Sequence, residues 1–299
     1  MSKYDKFLKR VDLVRNQVER ERIQEQEAAK KRKQRAQQQN SERWLRYQEQ
    51  LRSELVARYF HGVVSVGGET DSVTPFVNEY SISLDGVDAY VNQSLSTTSS
   101  TGSVSVWIKP DLTNNRSFVV FDNGGYRNYL IIVSNSNGTI NTQCRINPTV
   151  QWSLTTDNSV LSSTSWTHVV VTHNGTEPKI YIDGTLVSQT FTVSTNKTIW
   201  WNTFQPTLMR LGWFNINGYG RTNWQGLQDE FSLYETELNQ SQITAIYNNG
   251  LPTSLTAYNS LVWLRCGDGD TQPTLINYGS SGVNAGMGNP EPFSTDVPT

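Results

Sequence analysis

Trp166-Thr-His-Val-Val-Val-Thr-His173 is followed by Asn174-Gly175-Thr-Glu-Pro178, then Lys179-Ile-Tyr-Ile182, Asp183-Gly184 and Thr185-Leu-Val187. Three β-rich runs are thus divided by two turn signals. Asp-Gly between such runs marks a two-residue hairpin, because a type I′ turn needs positive φ at both central residues. Val169, Val170 and Val171 are consecutive, which predicts a strand buried on both faces. The stretch reads as a meander at the centre of an antiparallel sheet.

Outward from it, the same texture runs from Tyr80 to Cys266. Ile82 and Leu84 alternate before Asp85-Gly86, and Ala89 or Tyr90 leads into Val91. Val104 and Val106 alternate before Trp107-Ile-Lys-Pro110. Apolar runs at Phe118–Phe121 and Tyr129–Val133 stop at Asn/Gly-rich turns, and Cys144, Ile146, Trp152 and Leu154 continue the pattern. After the meander come Phe191, Val193, Met209–Leu211 and Leu227–Leu233. Many short strands separated by regular turn signals predict an all-β sandwich or barrel. One helix interrupts it: Leu238, Ile243, Ile246 and Tyr247 form an apolar face, Asn239 or Ser241 can cap its start, and Gly250 can end it. From Gly267 the chain is rich in Gly, Asn, Ser and Pro and is expected to lie irregularly over the surface.

The first 60 residues differ in kind. They hold 16 Lys/Arg against 9 Asp/Glu, whereas residues 61–299 hold 9 against 18, so a basic arm precedes an acidic body. Residues 3–60 lack Gly and Pro and favour helix. Tyr4, Phe7, Val11, Val14 and Val18 have a/d spacing, and a second apolar face follows at Trp44, Tyr47, Leu51, Leu55 and Tyr59. Between them the helix is polar all round and cannot bury itself. The arm, as one helix or two, is expected to oligomerise, with a trimer favoured, or to dock on a partner. The expected division is a helical arm over 1–60, a linker over 61–79, a sandwich over 80–266 and an irregular tail over 267–299. Nucleic acid is not an expected partner, because the basic run lacks interleaved aromatics. Two cysteines make no disulfide framework and are expected as buried thiols. The charged N-terminus does not read as a signal peptide, and no window approaches a membrane span.

The motifs Ser81–Val91, Val104–Pro110, Ser165–His173, Ile180–Gly184 and Gly226–Tyr234 with the helix after it, in that order, resemble the laminin-G-like, concanavalin A-like lectin/glucanase jelly roll. That resemblance implies an all-β jelly-roll sandwich over about residues 78–250, behind the helical arm. The segment Leu261–Asp270, Pro273–Asn277 and Ser281–Asn284, with Phe293–Pro298, resembles one found in bacteriophage structural proteins bearing this domain. It implies a tail fibre, spike or capsid-decoration protein, assembled in the host cytoplasm and held to other virion proteins by the arm.

Candidate chemistry is sparse. Jelly-roll glycosidases need paired carboxylates, but Asp229-Glu230 with Glu235 lacks the required spacing and has Leu227 where the first Glu belongs. A glycoside hydrolase is therefore the remote alternative, and the protein is expected not to be an enzyme. His168 and His173 lie five apart on one strand and face opposite sides, and His61 stands alone. No resident cofactor is expected, although Asp122, Asn123 and Asp157 are loop oxygens that could hold calcium, which many relatives bind. Trp213, Asn215, Tyr219, Arg221 and Trp224 are the candidate glycan-binding set, since aromatic rings cover the C–H face of a sugar while amides and a guanidinium meet its hydroxyls. A stand-alone lectin or adhesin is the alternative to a virion component, and a fibre head binding host-surface glycan satisfies both.

Overall fold

Alternation of apolar and polar residues, broken by Gly, Asn and Asp, builds two antiparallel sheets. The computed structural model describes residues 76–124, 127–215 and 221–299. The strands are β1 (Ile82–Asp85), β2 (Tyr90–Ser94), β3 (Gly102–Pro110), β4 (Arg116–Asp122), β5 (Tyr129–Ser134), β6 (Ile140–Ile146), β7 (Thr149–Thr156), β8 (Thr167–His173) and β9 (Pro178–Ile182). They continue as β10 (Thr185–Leu186), β11 (Gln189–Ser194), β12 (Leu208–Leu211), β13 (Trp213–Asn215), β14 (Arg221–Asn223), β15 (Gln225–Tyr234), β16 (Val262–Leu264), β17 (Thr274–Leu275) and β18 (Ala285–Gly288). Two helices, α1 (Trp201–Phe204) and α2 (Gln240–Tyr247), interrupt them.

One sheet runs β1-β15-β3-β8-β9-β10, with β16 also on β15; the other runs β11-β7-β6-β5-β4-β12-β2-β18-β17. The core lies between them. Val104, Val106, Val169, Val171, Ile180 and Ile182 from the first sheet meet Val119, Phe121, Leu130, Ile132, Trp152, Leu154 and Met209 from the second. Both cysteines are free and buried in this layer.

The opening meander forms as its turns require. Asp183 and Gly184 both have positive φ, 47° and 76°, and Ile182 pairs with Thr185 across them. Every residue of β8 is buried, as three consecutive valines imply. The meander is not the middle of its sheet, however: β8 is interior, while β9 and β10 run out to the edge. The sheet is centred instead on β15, β3 and β8.

Val170 and Tyr181 point away from the core, and a second apolar layer covers them. It contains Leu238, Ile243, Ile246 and Leu255, which also pack on Tyr234 of β15 and Trp263 of β16, outward residues of the same sheet. Helix α2 supplies Ile243 and Ile246 and is held at its start by a capping box: Asn239 accepts from the Gln242 N–H while Gln242 accepts from the Asn239 N–H. The chain leaves it at Asn248, whose left-handed conformation closes the last turn before Gly250 is reached.

The stretch after Gly267 is not irregular throughout. β17 and β18 extend the nine-stranded sheet beyond β2, because Leu275, Ala285 and Met287 turn inward. Helix α1 was not foreseen; it is a single turn whose Trp201 and Phe204 plug the core. The helical arm and its apolar positions, from Tyr4 to Tyr59, and His61 lie outside the described residues. No helix among the described residues is long and apolar enough to cross a membrane.

Candidate functional site

Among the described residues the outer face of the nine-stranded sheet carries no helical layer, and its side chains follow from register. Going across the strands, Val133, Asn141 and Thr155 form one row; Arg210, Val120, Ile131, Gln143 and Ser153 the next; Asp122, Tyr129 and Arg145 the third. Along β6, Asn141, Gln143 and Arg145 alternate with the inward Ile140, Thr142 and Cys144, as a strand with one solvated face must.

These polar groups are organised rather than merely exposed. The Asn141 amide donates to Ser153 Oγ at 2.9 Å, to the Leu154 carbonyl at 3.2 Å and to Thr155 Oγ1 at 2.8 Å. Tyr129 donates its hydroxyl to Gln143 Oε1 at 3.2 Å. Arg145 reaches the Pro148 carbonyl at 3.4 Å, and its Nε is buried without a protein acceptor. An oriented amide, a fixed phenol and a guanidinium can together read hydroxyl or carboxylate oxygens.

A hairpin walls this floor on one side. β13 leaves β12 at Gly212, which has φ 76°, and pairs with β14 so that Asn215 faces Arg221 in the ladder. Phe214 folds back over the outer face onto Val120, Ile131 and Tyr129, its ring meeting Tyr129 edge-on at 5.0 Å. Trp213 stacks on Tyr90 at 5.1 Å with the Arg210 guanidinium 5.0 Å from its ring.

Of the expected glycan set, Trp213 therefore stands half-buried on this rim. Tyr219 and the side chains of Asn215 and Arg221 lie outside the described residues. Trp224 is a correction: it is fully buried, tilted against Phe118 at 6.0 Å, and donates Nε1 to Ser134 Oγ at 2.8 Å. The returning strand re-enters the sandwich there, so no ring face is left for a sugar. Trp200 and Trp201 are likewise core residues.

The calcium set is not brought together. Asp122 is buried at one end of β4, ion-paired with Arg210 and accepting from the Gly124 N–H at 2.7 Å. Asp157 lies beyond the far end of β7, three strands away, and accepts from the Ser188 hydroxyl. That hydrogen bond, with one from Thr190, holds its carboxyl below the ordinary value. Asn123 follows Asp122 and shares its end of the sheet. Among the described residues no group of three or more His, Cys, Asp or Glu gathers as a metal set.

The other titratable candidates have structural surroundings. His168 lies against Trp107 at 4.8 Å and shares a 2.8 Å hydrogen bond with Ser105; burial pushes its pKa down to about 3 and keeps it neutral. His173 points to the other side, stacked on Trp200 at 4.7 Å. Glu230 accepts from Trp263 Nε1 at 2.5 Å and Arg265 Nε at 3.3 Å, yet burial pushes its pKa up to about 7. Asp229, fully buried beside it, is raised well above a normal carboxyl by burial and then by the Glu230 charge. Glu235 accepts from the Thr97 hydroxyl at 2.7 Å.

Sequence reasoning missed Asn141, Gln143 and Arg145. The available signal was period-two alternation in which the solvated positions carry long amide and guanidinium side chains rather than the short residues of turns.

Comparison with known proteins bears on the scaffold. A laminin-G-type family model described as the concanavalin A-like lectin/glucanases superfamily matches residues 85–244. No curated protein matches the chain. Among solved structures, a Bacteroides ovatus protein provisionally named as carbohydrate binding is similar, with 12% identity and a TM-score of 0.55 over 78% of this chain and 67% of that one. A heptameric SAP-like pentraxin from Limulus polyphemus has 14% identity and a TM-score of 0.49, over 72% of this chain and 98% of its own. The two sheets, their order of motifs and the matched span agree, and the chain belongs to the concanavalin A-like lectin/glucanases superfamily.

Proposed function

We propose that the domain is a non-catalytic glycan-binding module that takes a hydroxyl-rich glycan across β5, β6 and β7, against the β13–β14 wall. One observation carries this: on the sheet face that no described helix covers, Tyr129, Asn141, Gln143 and Arg145 lie in three successive rows as a hydrogen-bonded set of donors and acceptors. A glycan array, probed with and without calcium, tests it. At least one class of glycan should bind, and Arg145→Ala should weaken that binding by about tenfold, near 1.4 kcal/mol. Binding to no glycan, or binding indifferent to Arg145→Ala, overturns the reading.

Within the whole protein, the domain is a displayed head on a bacteriophage particle, anchored or trimerised by residues 1–60. The support is the basic, Gly- and Pro-free arm and the resemblance of Leu261–Pro298 to phage structural chains. Deleting residues 2–60 should abolish incorporation into particles while circular dichroism still reports a folded β domain. Incorporation of the truncated chain would refute the anchor.

A further inference from the structure

The opposite sheet carries a separate cavity. It has a volume of about 340 Å³ and lies where the end of β3, the loop before β8, the Asp183-Gly184 turn, the end of α2 and the C-terminal segment meet. That size is at the lower end of small-molecule sites, enough for a ligand of one ring or less. Three aromatic residues line it: Trp107, Trp166 and Tyr247. Trp107 and Tyr247 stack at 5.7 Å, which fixes both rings between sheet and helix.

The charges in its lining do not cancel. Lys109 Nζ is held by Asp296 Oδ2 at 2.6 Å, and the other Asp296 oxygen accepts from Trp166 Nε1 at 2.8 Å, so that trio is satisfied internally. Asp183 is different. Its Oδ1 accepts from the His168 N–H at 2.8 Å, which pins the carboxylate in the turn, while no described residue donates to Oδ2. Burial holds this carboxyl above its ordinary pKa, and burial together with the Asp183 charge raises the Tyr247 phenol. A half-buried carboxylate without a counter-cation among the described residues, bordered by aromatic side chains, matches a positive group that is weakly hydrated and carries apolar substituents.

We infer that this cavity is a second binding site, independent of the glycan face, for a small organic ammonium group, with Asp183 as counter-ion and Trp107, Trp166 and Tyr247 as its walls. Lys109 does not oppose the ligand because Asp296 already neutralises it. The Asp183-Gly184 turn both closes the hairpin and presents the charge.

The test uses the full chain titrated with tetramethylammonium and choline, read by indole fluorescence and by the Trp166 Nε1–H NMR resonance. Both cations should bind saturably and shift that resonance, whereas 3,3-dimethylbutanol, the uncharged isostere of choline, should not. Asp183→Asn keeps an oxygen for the His168 N–H and suits the turn, and should weaken choline binding by about tenfold. Tyr247→Ala removes a wall while leaving the Asp183 hydrogen bond to the His168 N–H in place and should weaken it as well, so a misfolded Asp183→Asn chain would still leave a decisive variant. No saturable binding at tens of millimolar, equal binding of the neutral isostere, or affinity unchanged in a folded Asp183→Asn or Tyr247→Ala chain overturns the assignment.

Discussion

The two outer faces of this sandwich come from sheets with the same inner-face chemistry, yet they end differently. The face of the seven-stranded sheet presents Val170, Tyr181 and Trp263 and is roofed by α2 and Leu255. The face of the nine-stranded sheet presents Asn141, Gln143, Arg145 and Ser153, and among the described residues only the β13–β14 hairpin crosses part of it. What differs is the outward residue at each alternate position. Apolar outward residues must find a second layer, and that layer fixes the fold. Polar outward residues need none and leave a surface free for recognition. On the roofed side, binding is confined to a cavity at the margin of the roof.

Breaking the roof should have the largest effect. Ile243→Ala should cost about 2–5 kcal/mol, the usual range for truncating a buried isoleucine, measured by urea denaturation of the domain. A cost below about 0.5 kcal/mol, the size of an ordinary surface change, would mean the roof is not part of the cooperative unit.

A second, smaller effect is electrostatic and lies under the same roof. Glu230 takes its proton more tightly when folded than when unfolded, so the folded state binds more protons between pH 4.5 and about 7. Stability from this group is full below the unfolded value and is lost as pH rises through the folded one. The loss is on the order of 1–3 kcal/mol. Glu230→Gln cannot ionise and should flatten the fall in melting temperature across that window; an unchanged pH profile would show that Glu230 does not titrate there.

The smallest stability effect belongs to the open face. Arg145→Ala, expected to impair glycan binding, should move folding stability by no more than about 0.5 kcal/mol. A larger loss would make Arg145 a structural residue and blur the contrast between the faces.

Much of the architecture was legible because alternation and turn chemistry act locally. Val104–Val106, Val169–Val171 and Asp183-Gly184 state their conformations within a few residues, and Asn239 with Gln242 states where α2 begins. What was not legible depends on distant partners. Ala285-Gly-Met-Gly288 has little strand preference of its own and becomes β18 because β2 offers an unpaired edge. Trp224 cannot be told from an exposed tryptophan until the turn at Gly212 is known to lead the chain back into the core. The meander was misplaced for the same reason: its turns define β8 to β10, but only the pairing of β3 with both β8 and β15 shows where the sheet's middle lies.

The pairing of β1 and β2 has a consequence for synthesis on the ribosome. β1 finds its ladder partner in β15, as Ile82 meets Gln228, and β2 lies between β12 and β18. A nascent chain that has exposed β1 and β2 must extend by more than a hundred residues before either can be satisfied. Until then two strand edges stay open, and loop closure of that length is slow. The sandwich is thus committed late, and the interval before closure is when this chain is most exposed to pairing with its neighbours.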